Sequence, residues 1–352
     1  MASEPSGSRN NKAALTPVPG GATTQAPPGP AVGGSAIWGF ILRRLLLGAL
    51  VLILVSIVIF LATQALPGDT ARAILGRTAT PASLAALREQ LHLNRPVIVQ
   101  YLTWAGGLLH GDAGNSMAAQ EPVTRLISDR IVNSAFLVLC AGLISIPLSV
   151  LIGAYAALWR DKAFDVVTSL STLVLAALPE FVVGVTLVVL FATTVSHVLP
   201  AVSIIPPGGK PWEQPVALIL PVLTLVIAVT PYVARIMRAS MIEVLESDYV
   251  EMARLKGLSE RLVIQRHALP NALGPTFQVI ALNLAYLAGG VIVVEYVFNY
   301  AGIGGALRDA VSNRDLPVIQ ALAMLIAGLY VVLNLLADIA TILVTPRLRT
   351  RL

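Results

Sequence analysis

Long apolar runs with almost no charge recur along the chain: Leu45 to Ala62, then approximately 132–158, 166–195, 216–237, 275–298 and 318–344. Each is close to the ~20 residues a helix needs to cross a hydrocarbon core of about 30 Å. The runs are continuously apolar, whereas strands of a membrane barrel alternate apolar and polar positions, so they predict helices that satisfy their own backbone. The expected fold is an all-α membrane protein with six transmembrane helices. Arg43 and Arg44 ahead of the first run look like the basic region of a signal peptide. The run is longer than the roughly 7–15 residues of a signal core and a long tail precedes it, which favours a retained anchor.

The segments between the runs divide the chain. Residues 1–36 are rich in Pro, Gly, Ser, Ala and Thr without apolar periodicity and are expected to be a disordered tail. Residues 37–66 form the first span, 67–130 an external subdomain, and 131–349 a five-helix core containing a long loop, 238–271. With both termini in the cytoplasm, Arg43, Arg44, Arg160, Lys162, Arg254, Lys256, Arg261, Arg266, Arg347, Arg349 and Arg351 fall inside. The short external connections then hold only Lys210, Arg308 and Arg314, as the positive-inside bias requires. The 67–130 segment carries Arg72, Arg77, Arg88, Arg95, Arg125 and Arg130, but a loop of that length is translocated largely regardless of charge. Within it Pro81 to His92 reads as a short helix, with Thr80 able to cap and Leu84, Leu87 and Leu91 on one face.

Composition agrees with lipid as the main solvent: 56% hydrophobic residues, 12% charged and a mean hydropathy of +0.79. The net charge of +5 is accounted for by arginines at the ends of apolar runs, so nucleic acid is not implied. The single cysteine, Cys140, lies in an apolar run and can form neither an intrachain disulfide nor a Cys-based zinc site.

The 238–271 loop is patterned. Asp248 can cap a helix with Glu251 three residues on, and Gly257 is placed for the left-handed turn that ends it after about two turns. Tyr249, Met252, Ala253 and Lys256 share one face by their spacing, a mixed surface suited to a cleft on another protein, the alternative being an interfacial or packing helix. His267 has no second His or Cys at ligand spacing, and the same holds for His92, His110 and His197, so no metal site is expected. Gly208-Gly209-Lys210-Pro211 lacks the spacing and the Ser or Thr of a phosphate loop, and no catalytic constellation is visible. The chain is therefore not expected to be an enzyme, and no catalytic residue is assigned. Pro147, Pro179, Pro221 and Pro231 can bend spans, while Gly184, Gly289, Gly290 and Gly328 suit close helix packing.

Glu251, Ala253 and Gly257, followed by Leu269-Pro270, stand at the spacing of the E-A-A-x-x-x-G motif of ABC importer permeases, with Met252 in place of the first alanine. Asp248-Tyr249-Val250, Lys256-Gly257-Leu258-Ser259 and Arg266 to Asn271 resemble the dipeptide, oligopeptide and nickel branch of that family. Pro67-Gly68-Asp69, Arg95-Pro96-Val97, Gly302-Ile303-Gly304 and Arg314-Asp315 are similar to its oligopeptide-permease B subunits, over roughly residues 37–349. The resemblance implies a type I ABC importer permease fold in a bacterial inner membrane, with a cytoplasmic coupling helix. It also implies a second homologous permease subunit, two ATPase subunits or domains that hold ATP and Mg, an external substrate-binding protein, and no cofactor in this chain. Di- or oligopeptides lead as cargo, with nickel, haem, opines or oligosaccharides as alternatives inside the class; a secondary transporter or a non-transport scaffold are the alternatives outside it. Glu180, in the third run just after Pro179, is costly in lipid unless paired, protonated or facing water. It either hydrogen-bonds to the bend or a neighbouring helix, or faces a translocation path and favours cations.

Overall fold

The computed structural model describes residues 34–65, 80–90, 95–206 and 208–344. Of the expected tail 1–36, residues 1–33 lie outside the described residues, as do Pro67-Gly68-Asp69, Arg72, Arg77, Leu91, His92, Arg347, Arg349 and Arg351, whereas Gly34, Ser35 and Ala36 are helical and open the first helix. The described elements are helical: α1 (Gly34–Gln64), α2 (Pro81–Gln90), α3 (Val97–Leu109), α4 (Val123–Leu158), α5 (Ala163–Ala177), α6 (Glu180–Val188), α7 (Pro215–Leu245), α8 (Asp248–Leu255), α9 (Glu260–Val263), α10 (Leu269–Val297), α11 (Ile303–Ser312) and α12 (Leu316–Val344). Four helices are long and apolar enough to cross a membrane, and two bent pairs bring the number to six when each pair is one span.

α7 is the central element, packed by α4, α5, α6 and α10, and from Leu220 to Pro231 none of its side chains is exposed. Its closest partner is α4. Ser145, Ser149, Gly153 and Ala157 recur every fourth residue on the buried side of α4, a small-residue stripe that lets two backbones approach. A Cβ added at Gly153 would lie 2.5 Å from the Ala234 carbonyl oxygen and 2.7 Å from Met237 Cβ. α10 closes the other side of α7, and Leu137, Leu225, Val229, Leu287 and Val294 fill the space between the three helices, with half-buried Cys140 packed against them. α1 sits outside this core against α12, and Leu46, Leu50, Ile53, Val58 and Leu61 are exposed on it, as expected of a lipid-facing helix.

Two spans are bent and one boundary shifts. The third apolar run is not one straight helix: α5 and the segment from Glu180 to Thr193 meet at 103°. Pro179 supplies no N–H and drives Leu178 out of the helical region (φ −84°, ψ 131°), a break that hydropathy does not register. The fifth run is likewise bent, by 53°. The boundary between residues 130 and 131 falls inside α4, which starts at Val123 because buried Val123 and Ile127 extend an amphipathic face ahead of the apolar run. By contrast Thr80 does cap α2: its hydroxyl accepts the Ser83 N–H at 3.2 Å. Gly184 packs against Phe298, whereas a Cβ at Gly289 or Gly328 would meet nothing within 4 Å.

Buried carboxylates tie distant segments together. Asp165 at the start of α5 accepts from Arg238 of α7 at 2.5 and 2.7 Å, two parallel bonds that fix the near ends of both helices. Asp315, between α11 and α12, accepts from the Ser116 hydroxyl and from the N–H groups of Met117 (3.1 Å) and Ala118 (3.2 Å). Glu295, 1% exposed in α10, accepts from the Ser134 hydroxyl of α4 and from Gly304 N–H at 2.7 Å.

Candidate functional site

Two places bring together residues singled out in the sequence: α8 and the break between α5 and α6. α8 follows α7 after Glu246 and one extended residue, Ser247 (φ −80°, ψ 147°), which is the N-cap, so Asp248 is the first helical residue and makes no side-chain cap. Asp248 and Glu251 instead place two acids in the first turn, where they complement the helix dipole. At the other end Gly257 has φ +78°; its N–H bonds to Arg254 O at 2.9 Å and Leu258 N–H to Ala253 O at 3.4 Å. These two bonds and the contact of Leu258 with the buried residues of α8 form a Schellman ending, which needs the left-handed conformation glycine adopts without strain.

Val250 (0% exposed) and Ala253 (6%) pack on Val263, Val244 and Leu258. Ala253 therefore does not share the outward face with Tyr249, Met252 and Lys256. Leu255 does: it is 75% exposed, with Met252 at 57% and Tyr249 at 42%, an apolar knob edged by Lys256. Arg254 was not a candidate in the sequence, yet it staples the helix in place. It bonds both carboxylate oxygens of Glu260, at 3.1 and 2.8 Å, and the Leu245 carbonyl at the end of α7 at 3.3 Å. The Glu260 carboxylate raises the Arg254 guanidinium above its ordinary range. Arg254 thereby ties α8 to the end of α7, the helix at the centre of the bundle.

Glu180 opens α6 at the 103° break, half-buried, with its carboxylate over Gly290 of α10: a Cβ there would lie 2.7 Å from Oε1. Tyr286, one turn before Gly290 on α10, is a neighbour of the same carboxylate. Tyr232 of α7 stands beside this pair and donates to the Ala176 carbonyl at 3.1 Å. Glu180 and α8 are separate sites joined by α7. Among the described residues there is no group of three or more His, Cys, Asp or Glu that could hold a metal.

Comparison with known proteins extends this picture. The family described as "Binding-protein-dependent transport system inner membrane component" matches residues 115–350. The N-terminal membrane component of the same kind of system matches residues 37–137. The "Probable peptide ABC transporter permease protein y4tP" of Sinorhizobium fredii is 40% identical over 312 residues, covering 88% of this chain and 99% of its own. The glutathione transport system permease protein GsiC of Salmonella typhi is 36% identical over 310 residues, covering 88% and 98%. A solved amino acid ABC transporter with histidines overlays 62% of this chain and 94% of its own with a TM-score of 0.47, at 19% identity.

Proposed function

The chain belongs to the family of inner membrane components of binding-protein-dependent transport systems and is a permease subunit of an ABC importer; from that premise we propose that its cargo is a di- or oligopeptide and that α8 is the element through which an ATPase drives it. The peptide assignment rests on relatives named as peptide and glutathione permeases. The coupling assignment rests on one observation: a short helix, fixed at both ends, that turns Tyr249, Met252 and Leu255 outward. An apolar knob on a rigid support is the geometry that fills a cleft on a partner, since a hydrophobic anchor in a pocket carries most of the energy of an interface.

In this reading α8 lies on the cytoplasmic side with both chain termini, and Asp248, Tyr249, Glu251, Met252, Lys256 and Gly257 form or support the contact. Two ATPase subunits close on ATP and Mg, one against this chain and one against a second homologous permease, while a substrate-binding protein delivers cargo from outside. Closure pushes α8, and through Arg254 and Ser247 the end of α7, so the bundle exchanges an outward for an inward opening.

Three substitutions test the helix. Gly257→Val strains the left-handed turn by about 1 kcal/mol or more, Glu251→Lys reverses charge in the first turn, and Leu255→Asp puts a carboxylate into the proposed cleft. Each is expected to insert in the membrane normally, and Leu255→Asp to weaken copurification of the ATPase by about tenfold or more. Normal ATPase association and normal uptake in all three, at normal expression, would refute the coupling role.

A further inference from the structure

We infer that Glu180, Tyr286 and Tyr232 form a cation-recognising point on the translocation path, taking the ammonium group of a peptide or a basic side chain; the inference rests on the permease reading above. Four observations carry it. The carboxylate stands at mid-bundle: its helix neighbour Gly184 packs near Thr224 and Phe298, and Ala176, four residues before it, bonds Tyr232. Among the described residues no cation forms an ion pair with it, and its neighbour on α10, one turn before Gly290, is Tyr286. The bend at Pro179 and the missing side chain at Gly290 make room for it, so the carboxylate is built in by two separate helices. Both tyrosines are open, Tyr286 at 52% and Tyr232 at 44% exposure.

The fourth observation extends to the orientation of this face. α7 exposes nothing from Leu220 to Pro231, then exposes Tyr232, Arg235, Ile236 and Ala239, positions spaced i, i+3, i+4 and i+7 on one stripe toward α8. The guanidinium of Arg235 on that stripe favours a water-facing surface over hydrocarbon. A carboxylate flanked by aromatic rings attracts ammonium groups twice over, by charge and by the negative ring faces, and repels anions. Gly290 positions the carboxylate through the space it leaves, and Tyr286 flanks it one turn away on the same helix.

The single native cysteine makes a direct test available. In a Cys140→Ala background, Tyr232→Cys is introduced into the complete transporter, with ATPase and binding protein, in liposomes. Its rates of labelling by a cationic and an anionic methanethiosulfonate are then compared. Preference for the cationic reagent by about tenfold is expected with Glu180 present, falling to near parity in Glu180→Gln and partway in Tyr286→Phe. Gly290→Ala, which crowds the carboxylate without removing its charge, is expected to reduce the preference as well. A cysteine that neither reagent reaches would place the face against lipid or protein and overturn the inference. So would a preference unchanged by both Glu180→Gln and Tyr286→Phe. ATP-driven uptake of trialanine by vesicles holding the Cys140→Ala protein without the new cysteine is measured in parallel. Uptake without charge preference sinks this inference alone, whereas loss of ATP dependence sinks the permease reading beneath it.

Discussion

Gly153→Val should abolish the folded bundle, with no recovery of a monodisperse protein after detergent extraction. The position lies in the α4–α7 contact, and even the Cβ of alanine would sit 2.5 Å from the Ala234 carbonyl oxygen. That oxygen belongs to backbone inside a helix, so it cannot turn aside as a flexible side chain would. The two helices must separate, opening the Ser145–Ser149–Gly153–Ala157 stripe and the core around Met237. Overpacking of a well-filled interior costs about 1–3 kcal/mol when neighbours can relax, and a backbone clash belongs at or above the top of that range. Thermal unfolding in detergent, read by fluorescence-detected size exclusion, gives the measure, with Gly153→Ala intermediate. Gly328→Ala serves as the control, because a Cβ there meets nothing within 4 Å and alanine is the better helix former. Equal unfolding temperatures for Gly153→Val and Gly328→Ala would show that α4 and α7 do not pack as described.

Glu295→Ala is expected to be nearly as damaging, for a different reason. The carboxylate is the acceptor that satisfies Gly304 N–H at the start of α11 and the Ser134 hydroxyl, which in turn accepts from Ile303 N–H at 2.9 Å. Removing it leaves buried donors unmatched, at about 1–3 kcal/mol each, and opens a cavity as well. Tyr300 and Asn133 hold the same segment, through Tyr300 hydroxyl to Asn133 O and Asn133 Nδ2 to Ala301 O, both at 2.8 Å. The loss should therefore be centred on the 300–304 turn and the docking of α11. Hydrogen exchange of the Ile303 and Gly304 amides should rise sharply in Glu295→Ala, and much less in Glu295→Gln, whose carbonyl can still accept one bond. Unchanged protection of both amides in Glu295→Ala would contradict this role.

Much of the architecture could be read from periodicity, because lipid forces helices and long apolar runs report where they lie. The α8 motif was equally visible: Gly257 ends the helix because the Schellman turn needs φ > 0, and few other residues supply that cheaply. Local pattern failed where tertiary partners decide. Ala253 and Met252 are adjacent on a two-turn helix, and only Val263 and Leu258, arriving from the next segment, determine that Ala253 turns inward while Leu255 stays out. Ser134 meets Glu295 across 161 residues and Ser116 meets Asp315 across 199, separations that no periodicity encodes. The 103° break is an intermediate case. Pro179 marked the place, but a proline also fits a gentle kink, and it is the extended Leu178 that turns the chain.

In the proposed coupling a push on α8 reaches α7 through the Glu246–Ser247 link and Arg254, and the bundle moves cargo at the expense of ATP hydrolysed on another chain. The most direct measurement is uptake of radiolabelled trialanine into liposomes holding this chain with its second permease and ATPase, binding protein being added outside. Uptake is expected to require ATP and the ATPase together, with no ATP turnover by this chain purified alone. Uptake sustained by a proton or sodium gradient without the ATPase, or ATP turnover by the isolated chain, would contradict it.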